Sequence, residues 1–209
     1  MANSIVVTGT DTGIGKTVFS AGLVQALGAT YWKPVQAGLE EETDSQVVAR
    51  LSGCTMLPET YRLKMPASPH LAAEAEQVEI SLDDLSIPSV DGPLVIEGAG
   101  GLMVPLNRKS LYLDVFAGWK RPVILCARTQ LGTINHSLMS LLALQQAGCK
   151  AVGIAFIGEP EPEVEQTICD FGKVEHLGRL PKIDPLSSQT LAEAFRQNIK
   201  LDTIRKALA

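Results

Sequence analysis

The sequence is sparing with several kinds of residue, and each shortage excludes something. It holds three histidines, too few for a histidine-rich metal centre, and four cysteines, Cys54, Cys126, Cys149 and Cys169, no two of them in a CxxC pair. Disulfide scaffolds and zinc ribbons are therefore not expected. The cysteines read as small buried hydrophobes in a reducing cytosol. Positive charge is in deficit, 18 Lys and Arg against 23 Asp and Glu, a net charge of −5. A nucleic-acid binder would carry a basic surface. No apolar run is long enough to span a bilayer, and "MANSIVV" has no basic leader before a long apolar stretch. The expectation is a cytoplasmic protein that binds neither nucleic acid nor membrane. Repeats and low-complexity tracts are also missing, and no linker splits the 209 residues, which read as a single domain over 1–209.

What is present is strand–helix alternation. Short apolar, β-branched runs at 4–9, 29–35, 92–98, 121–127 and 150–158 read as strands buried on both faces. Helical patterns run from Lys16 to about Leu27, after Thr43 with a Thr43/Gln46 capping box, from Thr133 to Ala147 with Gly148 as cap, and from about Glu161 to Phe171. The end of the chain reads as one or two closing helices, and Ser68-Pro69 as a helix start. The implied fold class is α/β: a doubly wound, mostly parallel sheet with helices on both faces. Ligands on such sheets lie beyond the carboxyl ends of the strands, here just after Val7, Tyr31, Ile96, Leu125 and Phe156.

"IVVTGTDTGIGKTVFSAGL", residues 5–23, fills the first of those positions. A strand, a glycine-rich turn and Gly15-Lys16-Thr17 opening a helix form the arrangement of a P-loop. The spacing is off by one: Thr10 stands where the strict pattern has glycine, and the glycine is Gly9. Backbone N–H groups from Gly13, Ile14 and Gly15 through Thr17 and Val18 are expected to face phosphate oxygens. Lys16 would reach the β- and γ-phosphates, and the Thr17 hydroxyl would ligate magnesium. GxGxxG does not occur, so a nucleoside triphosphate is favoured over a dinucleotide.

A metal–triphosphate needs carboxylates. Glu97 ends the apolar run "PLVIE", and the turn Gly98-Ala99-Gly100-Gly101 after it lets backbone approach a ligand closely. Asp44, in the first turn of a helix, suits either the helix dipole or a metal. The acidic run Glu40–Glu42 reads as a solvated loop. Lys33 ends a predicted strand; it either extends off the strand end or joins Lys16 in the crevice, where two ammonium groups would suit a developing anion.

The segments "VTGTDTGIGKT", "KPVQAG", "ASPH", "VIEGAGGLMVPL" and "LGTINHSLMS", in this order, resemble the dethiobiotin synthetase family from about residue 5 to 148, and more weakly to about Pro181. The resemblance implies an ATP-dependent ligase of the P-loop superfamily. Its substrates would be 7,8-diaminononanoate and CO2 or bicarbonate, with a carbamate and its phosphoric anhydride as intermediates. It implies that Lys16 and Lys33 hold carbamate and γ-phosphate oxygens, that Thr12 adds a donor, and that Thr17, Asp44 and Glu97 bind magnesium. It further implies a homodimer in which Gly132, Thr133 and Asn135, at a helix N-terminus, hold the distal carboxylate of the diamine across the interface. His136 is expected to pack or hydrogen-bond locally.

Three departures from the family stand out. Ala37 replaces a serine or threonine near the substrate. Ile157-Gly158 replaces an Asn-Asp pair whose asparagine reads adenine, leaving the backbone around Gly158 and Leu180-Pro181-Lys182 for the base and relaxing nucleotide choice. The link before "YWKPV" is short, so the second strand should be short too. Two rival readings fit the sequence less well. Partition and septum-positioning ATPases share the fold, but their signature lysine aligns with Asp11. Corrin-amidating ligases need an attached glutamine-hydrolysing domain, which the residues after about 180 are too few to build.

Overall fold

The computed structural model describes residues 3–208. The strands are β1 (Ser4–Gly9), β2 (Thr30–Trp32), β3 (Val35–Ala37), β4 (Tyr61–Leu63), β5 (Leu94–Gly101), β6 (Val123–Arg128), β7 (Ala151–Ile157) and β8 (His176–Leu180). The helices are α1 (Lys16–Leu27), α2 (Asp44–Ser52), α3 (Pro69–Ala75), α4 (Tyr112–Trp119), α5 (Thr133–Gln146), α6 (Pro162–Gly172), α7 (Ser188–Asn198) and α8 (Leu201–Leu208). Six strands form one parallel sheet in the order β2-β5-β1-β6-β7-β8, and β3 pairs with β4 in a separate two-stranded ribbon.

Side chains alternate across the large sheet and separate two apolar layers. Ile5, Val7, Tyr31, Val95 and Ile124 face α1, α2 and α7 through Phe19, Leu23, Val48, Leu51 and Phe195. Val6, Trp32, Ile96, Leu125 and Phe156 face the other way, onto Phe116, Leu141, Leu144 and Ile168. Strands covered on both faces explain the nearly unbroken apolar runs. Strand order reverses at β1, so the crevice beyond its carboxyl end is the place for a ligand.

The fold corrects several sequence expectations. The run at 29–35 is not one strand. β2 stops at Trp32, as short as expected; the chain breaks at Lys33-Pro34, and β3 joins β4 instead. By strand alternation Pro34 falls on the same side as Thr30, whose N–H donates to the Pro93 carbonyl just ahead of β5, and with no N–H of its own it cannot extend that ladder. Glu97 does not end its strand: β5 continues through the glycines to Gly101, with Gly101 paired to Gly9. Glycine gives no apolar signal, so that extension was invisible to hydrophobic patterning. β4 and β8 lie outside the strands expected from the sequence; β8 is an edge strand whose short apolar pattern is interrupted by Gly178 and Arg179. α5 closes one residue early, at Gln146, with Ala147 as cap and Gly148 left-handed beyond it. The Thr43/Gln46 capping box is present, and the chain closes with two helices, α7 and α8. α3 starts at Pro69 as expected, but Ser68 makes no side-chain cap and bonds His70 Nδ1 at 3.1 Å instead. All four cysteines are free; Cys126 and Cys169 are buried, whereas Cys54 and Cys149 are only half-buried.

Candidate active site

The loop after β1 is shaped by backbone constraints. Thr10 N–H donates to the Cys126 carbonyl at 3.0 Å, tying the loop to β6. Gly15 caps α1 at φ 94°, a left-handed conformation that glycine adopts without a Cβ penalty, and supplies no side-chain cap. The first N–H groups of α1 are thus left for an anion. The Lys16 stem runs close under Gly9: a Cβ there would meet Lys16 Cδ at 2.9 Å. The loop needs glycine at position 9 for this close approach, which explains the displaced spacing. Lys16 Nζ donates to the Asp11 carbonyl at 2.7 Å. Burial lowers the pKa of this lysine, Glu97 opposes the shift and Lys33 adds to it.

Opposite Lys16, four side chains converge. Lys33 Nζ lies 2.5 Å from Asp44 Oδ2 and 3.5 Å from Glu97 Oε1. Thr17 Oγ1 bonds Asp44 Oδ1 at 2.8 Å and Glu97 Oε1 at 3.0 Å. Lys33 and Glu97 are almost fully buried. Burial alone would discharge Lys33, but the carboxylates of Glu97 and Asp44 outweigh it and hold its pKa above the ordinary lysine value. For Asp44, burial pushes up and the Lys33 ammonium pulls down; the net direction is down. Two carboxylates and a hydroxyl, all hard oxygen donors beside a phosphate loop, are the set magnesium uses when phosphates supply further ligands.

Lys16, Thr17, Lys33, Asp44 and Glu97 line one cavity of about 600 Å³, together with Thr12, Gly13, Gly15, Ala37, Ala99 and Gly100. Lys33 thus joins Lys16 in the crevice, with Asp44 and Glu97 beside them, and does not extend off the strand end. Ala37 reaches the cavity from β3. Its neighbour Gln36 accepts from the Asp44 N–H at 3.3 Å and donates to the carbonyls of Ala37 and Gly38 at 3.2 Å, joining the ribbon to the first turn of α2.

Thr12 also borders a second cavity of about 550 Å³, shared with Asp11, Met103, His136 and Met139. His136 is therefore exposed on a cavity rim and not packed. Beside it, α5 begins at Thr133 with Gly132 as a cap that has no side chain; Thr133 is buried against Ser137 and Asn135 is exposed. Ile14 lies on the loop and Val18 in the first turn of α1, and Gly98 lies on β5 under Phe116.

Gly158 follows β7, Leu180 ends β8 and Pro181 and Lys182 follow it, and none of the four lines the first cavity. Ile157 packs on the phosphate loop, within 3.0 Å of where a Gly15 Cβ would sit. The Gly158 N–H is already donated to the Leu180 carbonyl at 3.0 Å, and the Gly158 carbonyl accepts from Arg179 Nη1 at 2.9 Å.

Three residues near the site escaped sequence reasoning. Tyr31 is hidden in an apolar run, yet its hydroxyl donates to Glu97 Oε2 at 3.1 Å. Gln36 lies just past the strand expected over 29–35, an uncharged side chain whose partner is eight residues away. Arg128 ends β6 and pairs with Asp11 Oδ2 at 3.2 Å, so the acid at the lysine position of the partition ATPases is engaged within the chain. Only Tyr31 carried a usable signal, being polar-tipped and two residues from Lys33.

A family profile described as an AAA domain matches residues 3–190. The chain is 58% identical over 212 residues to an ATP-dependent dethiobiotin synthetase of Nitrobacter hamburgensis, covering 100% of both chains. To one from Rhodopseudomonas palustris it is 60% identical over 199 residues, covering 94% of this chain and 95% of the relative. Among solved structures, a ParA family ATPase from Chlorobium tepidum superposes with a TM-score of 0.59 at 10% identity, over 99% of this chain and 97% of that one. That likeness is one of fold.

Proposed function

The chain belongs to the ATP-dependent dethiobiotin synthetase family, and on that premise we propose how its own residues carry the ligation. The substrates are ATP, CO2 and 7,8-diaminononanoate. One amine takes up CO2 as a carbamate; a carbamate oxygen attacks the γ-phosphorus and ADP leaves. The second amine then attacks the activated carbonyl carbon. The ureido ring closes, phosphate departs with the carbamate oxygen, and the amine gives up its proton.

The observation that carries this reading is the convergence of Lys16 and Lys33 on one cavity with Thr17, Asp44 and Glu97. Phosphoryl transfer asks the protein for positioning and charge neutralisation more than for covalent chemistry. Lys16 exchanges the Asp11 carbonyl for phosphate oxygens, and the N–H groups of Gly13 to Val18 hold the rest of the chain of phosphates. Lys33, kept charged by its two carboxylates, faces the carbamate and the transferring group. A magnesium ion held by Thr17, Asp44 and Glu97 would neutralise triphosphate charge. Thr12, between the two cavities, offers a donor to the carbamate end of the diamine, with Ala37 packing beside it. Backbone at Gly98, Ala99 and Gly100 borders the same volume.

The distal carboxylate is assigned to the N-terminus of α5, at Gly132, Thr133 and Asn135, in a homodimer. Support comes from the apolar face around it, where Leu131, Ile134, Met139, Leu142 and Met103 are exposed. The nucleobase is assigned to the region of Gly158 and Leu180-Pro181-Lys182. A cytoplasmic single-domain enzyme that binds neither nucleic acid nor membrane fits the acidic composition. No helix among the described residues is long and apolar enough to cross a membrane. The direct test is phosphate release from ATP in the presence and absence of diamine and bicarbonate. Release that requires both supports the proposal; release indifferent to the diamine refutes it.

A further inference from the structure

We propose that Tyr31 is a positioning residue that fixes the carboxylate of Glu97 in the orientation the metal site needs. The inference rests on the reading of Glu97 as a metal ligand. Tyr31 lies on β2 opposite Val95 of the neighbouring β5, and Glu97 is two residues further along the same strand, on the same face. This diagonal placement lets a long side chain on one strand reach across to the next. The Tyr31 ring lies fully buried among α1, α2 and the sheet, and its hydroxyl meets Glu97 Oε2 at 3.1 Å.

The two oxygens of Glu97 consequently have separate surroundings. Oε2 is held from inside the protein by the phenol. Oε1 faces the cavity, 3.0 Å from Thr17 Oγ1 and 3.5 Å from Lys33 Nζ. Lys33 is the competitor. It is already close to Asp44, and a Glu97 carboxylate free to rotate would turn both oxygens onto the same ammonium. The phenol opposes that rotation by holding one oxygen, which leaves Oε1 directed at the space shared with Thr17. A carboxylate behind which a protein donor stands is the usual outer-layer support of a metal ligand.

The Tyr31→Phe variant removes this one hydroxyl and keeps the ring. The backbone ties of Tyr31, to the Thr55 carbonyl at 2.9 Å and from the Leu57 N–H at 2.8 Å, are untouched. The probe is Mn2+ titrated into the full-length protein at fixed ADP, with bound ion read by electron paramagnetic resonance, and with thermal melting as a check on folding. The wild type, Tyr31→Phe, Glu97→Gln and the double variant are compared. The expected result is Mn2+ affinity weakened about tenfold in Tyr31→Phe, and a double variant no weaker than Glu97→Gln alone. Wild-type Mn2+ affinity in Tyr31→Phe, with Glu97→Gln weakened, would show that the hydroxyl only packs and would overturn the inference. An equal further loss when Tyr31→Phe is added to Glu97→Gln would also overturn it, because the effect would then not run through Glu97. Unchanged affinity in both single variants would remove Glu97 from the metal site and the inference with it.

Discussion

Lys33 and Asp44 form a half-buried ion pair, Nζ to Oδ2 at 2.5 Å, that joins the break after β2 to the first residue of α2. The pair sits inside the cavity that also contains Lys16, so the same contact serves the fold and the site. Its stability should depend on pH in a definite direction. Asp44 has its pKa held below the ordinary carboxylate value, burial opposing and Lys33 prevailing. A depressed acid stabilises the fold above its unfolded pKa, about 3.9 for aspartate, and that contribution is lost as pH falls through the folded value. Lys33, raised above the ordinary lysine value, keeps its contribution until pH is strongly alkaline. The melting temperature of Asp44→Asn should therefore lie below wild type at neutral pH, with the gap closing as pH falls through the acid range. A gap that stays constant down to pH values near 3 would contradict this.

Gly15 should tolerate no side chain. Its φ of 94° is left-handed, and an added Cβ would stand 3.0 Å from Ile157 Cγ2. Gly15→Ala is expected to cost about 1–3 kcal/mol of stability and to raise the KM for ATP, because the first turn of α1 and its N–H groups shift. Unchanged melting and ATP kinetics would show that the loop conformation is not what holds the phosphates.

Nucleotide choice should be loose. Both backbone groups of Gly158 are spent, one on Leu180 and one on Arg179, so they offer the base no free partner. Sites that discriminate strongly do so by leaving their own polar groups unpaired against the wrong ligand. With none free at Gly158, kcat/KM for GTP and CTP should fall within about 100-fold of that for ATP. A preference of several thousandfold for ATP would show that another group reads the base.

Much of this arrangement was legible in the sequence because it depends on short-range pattern. β1, β6 and β7 appeared as apolar runs, the α2 cap as Thr43 and Gln46, and the phosphate loop as glycines ahead of Lys16-Thr17. What stayed hidden depends on partners distant in sequence. β3 and β4 find each other across an intervening helix, and neither is apolar enough to stand out. Tyr31 and Glu97 are 66 residues apart, so their hydrogen bond appears only once β2 lies beside β5. Likewise Arg128 and Asp11 meet only because β6 lies beside β1. β5 ran on through glycines that hydrophobic patterning reads as a turn, since its pairing at Gly101 is made by backbone alone.

Lys33 tests the central claim most directly, because it shares the cavity with Lys16 without belonging to the phosphate loop. Single-turnover phosphate release from ATP, with diamine and bicarbonate saturating, compares Lys33→Ala with wild type while ADP binding is measured in parallel. The account predicts ADP affinity near wild type and a phosphoryl-transfer rate lower by about 100- to 1000-fold. A wild-type rate in Lys33→Ala would contradict it.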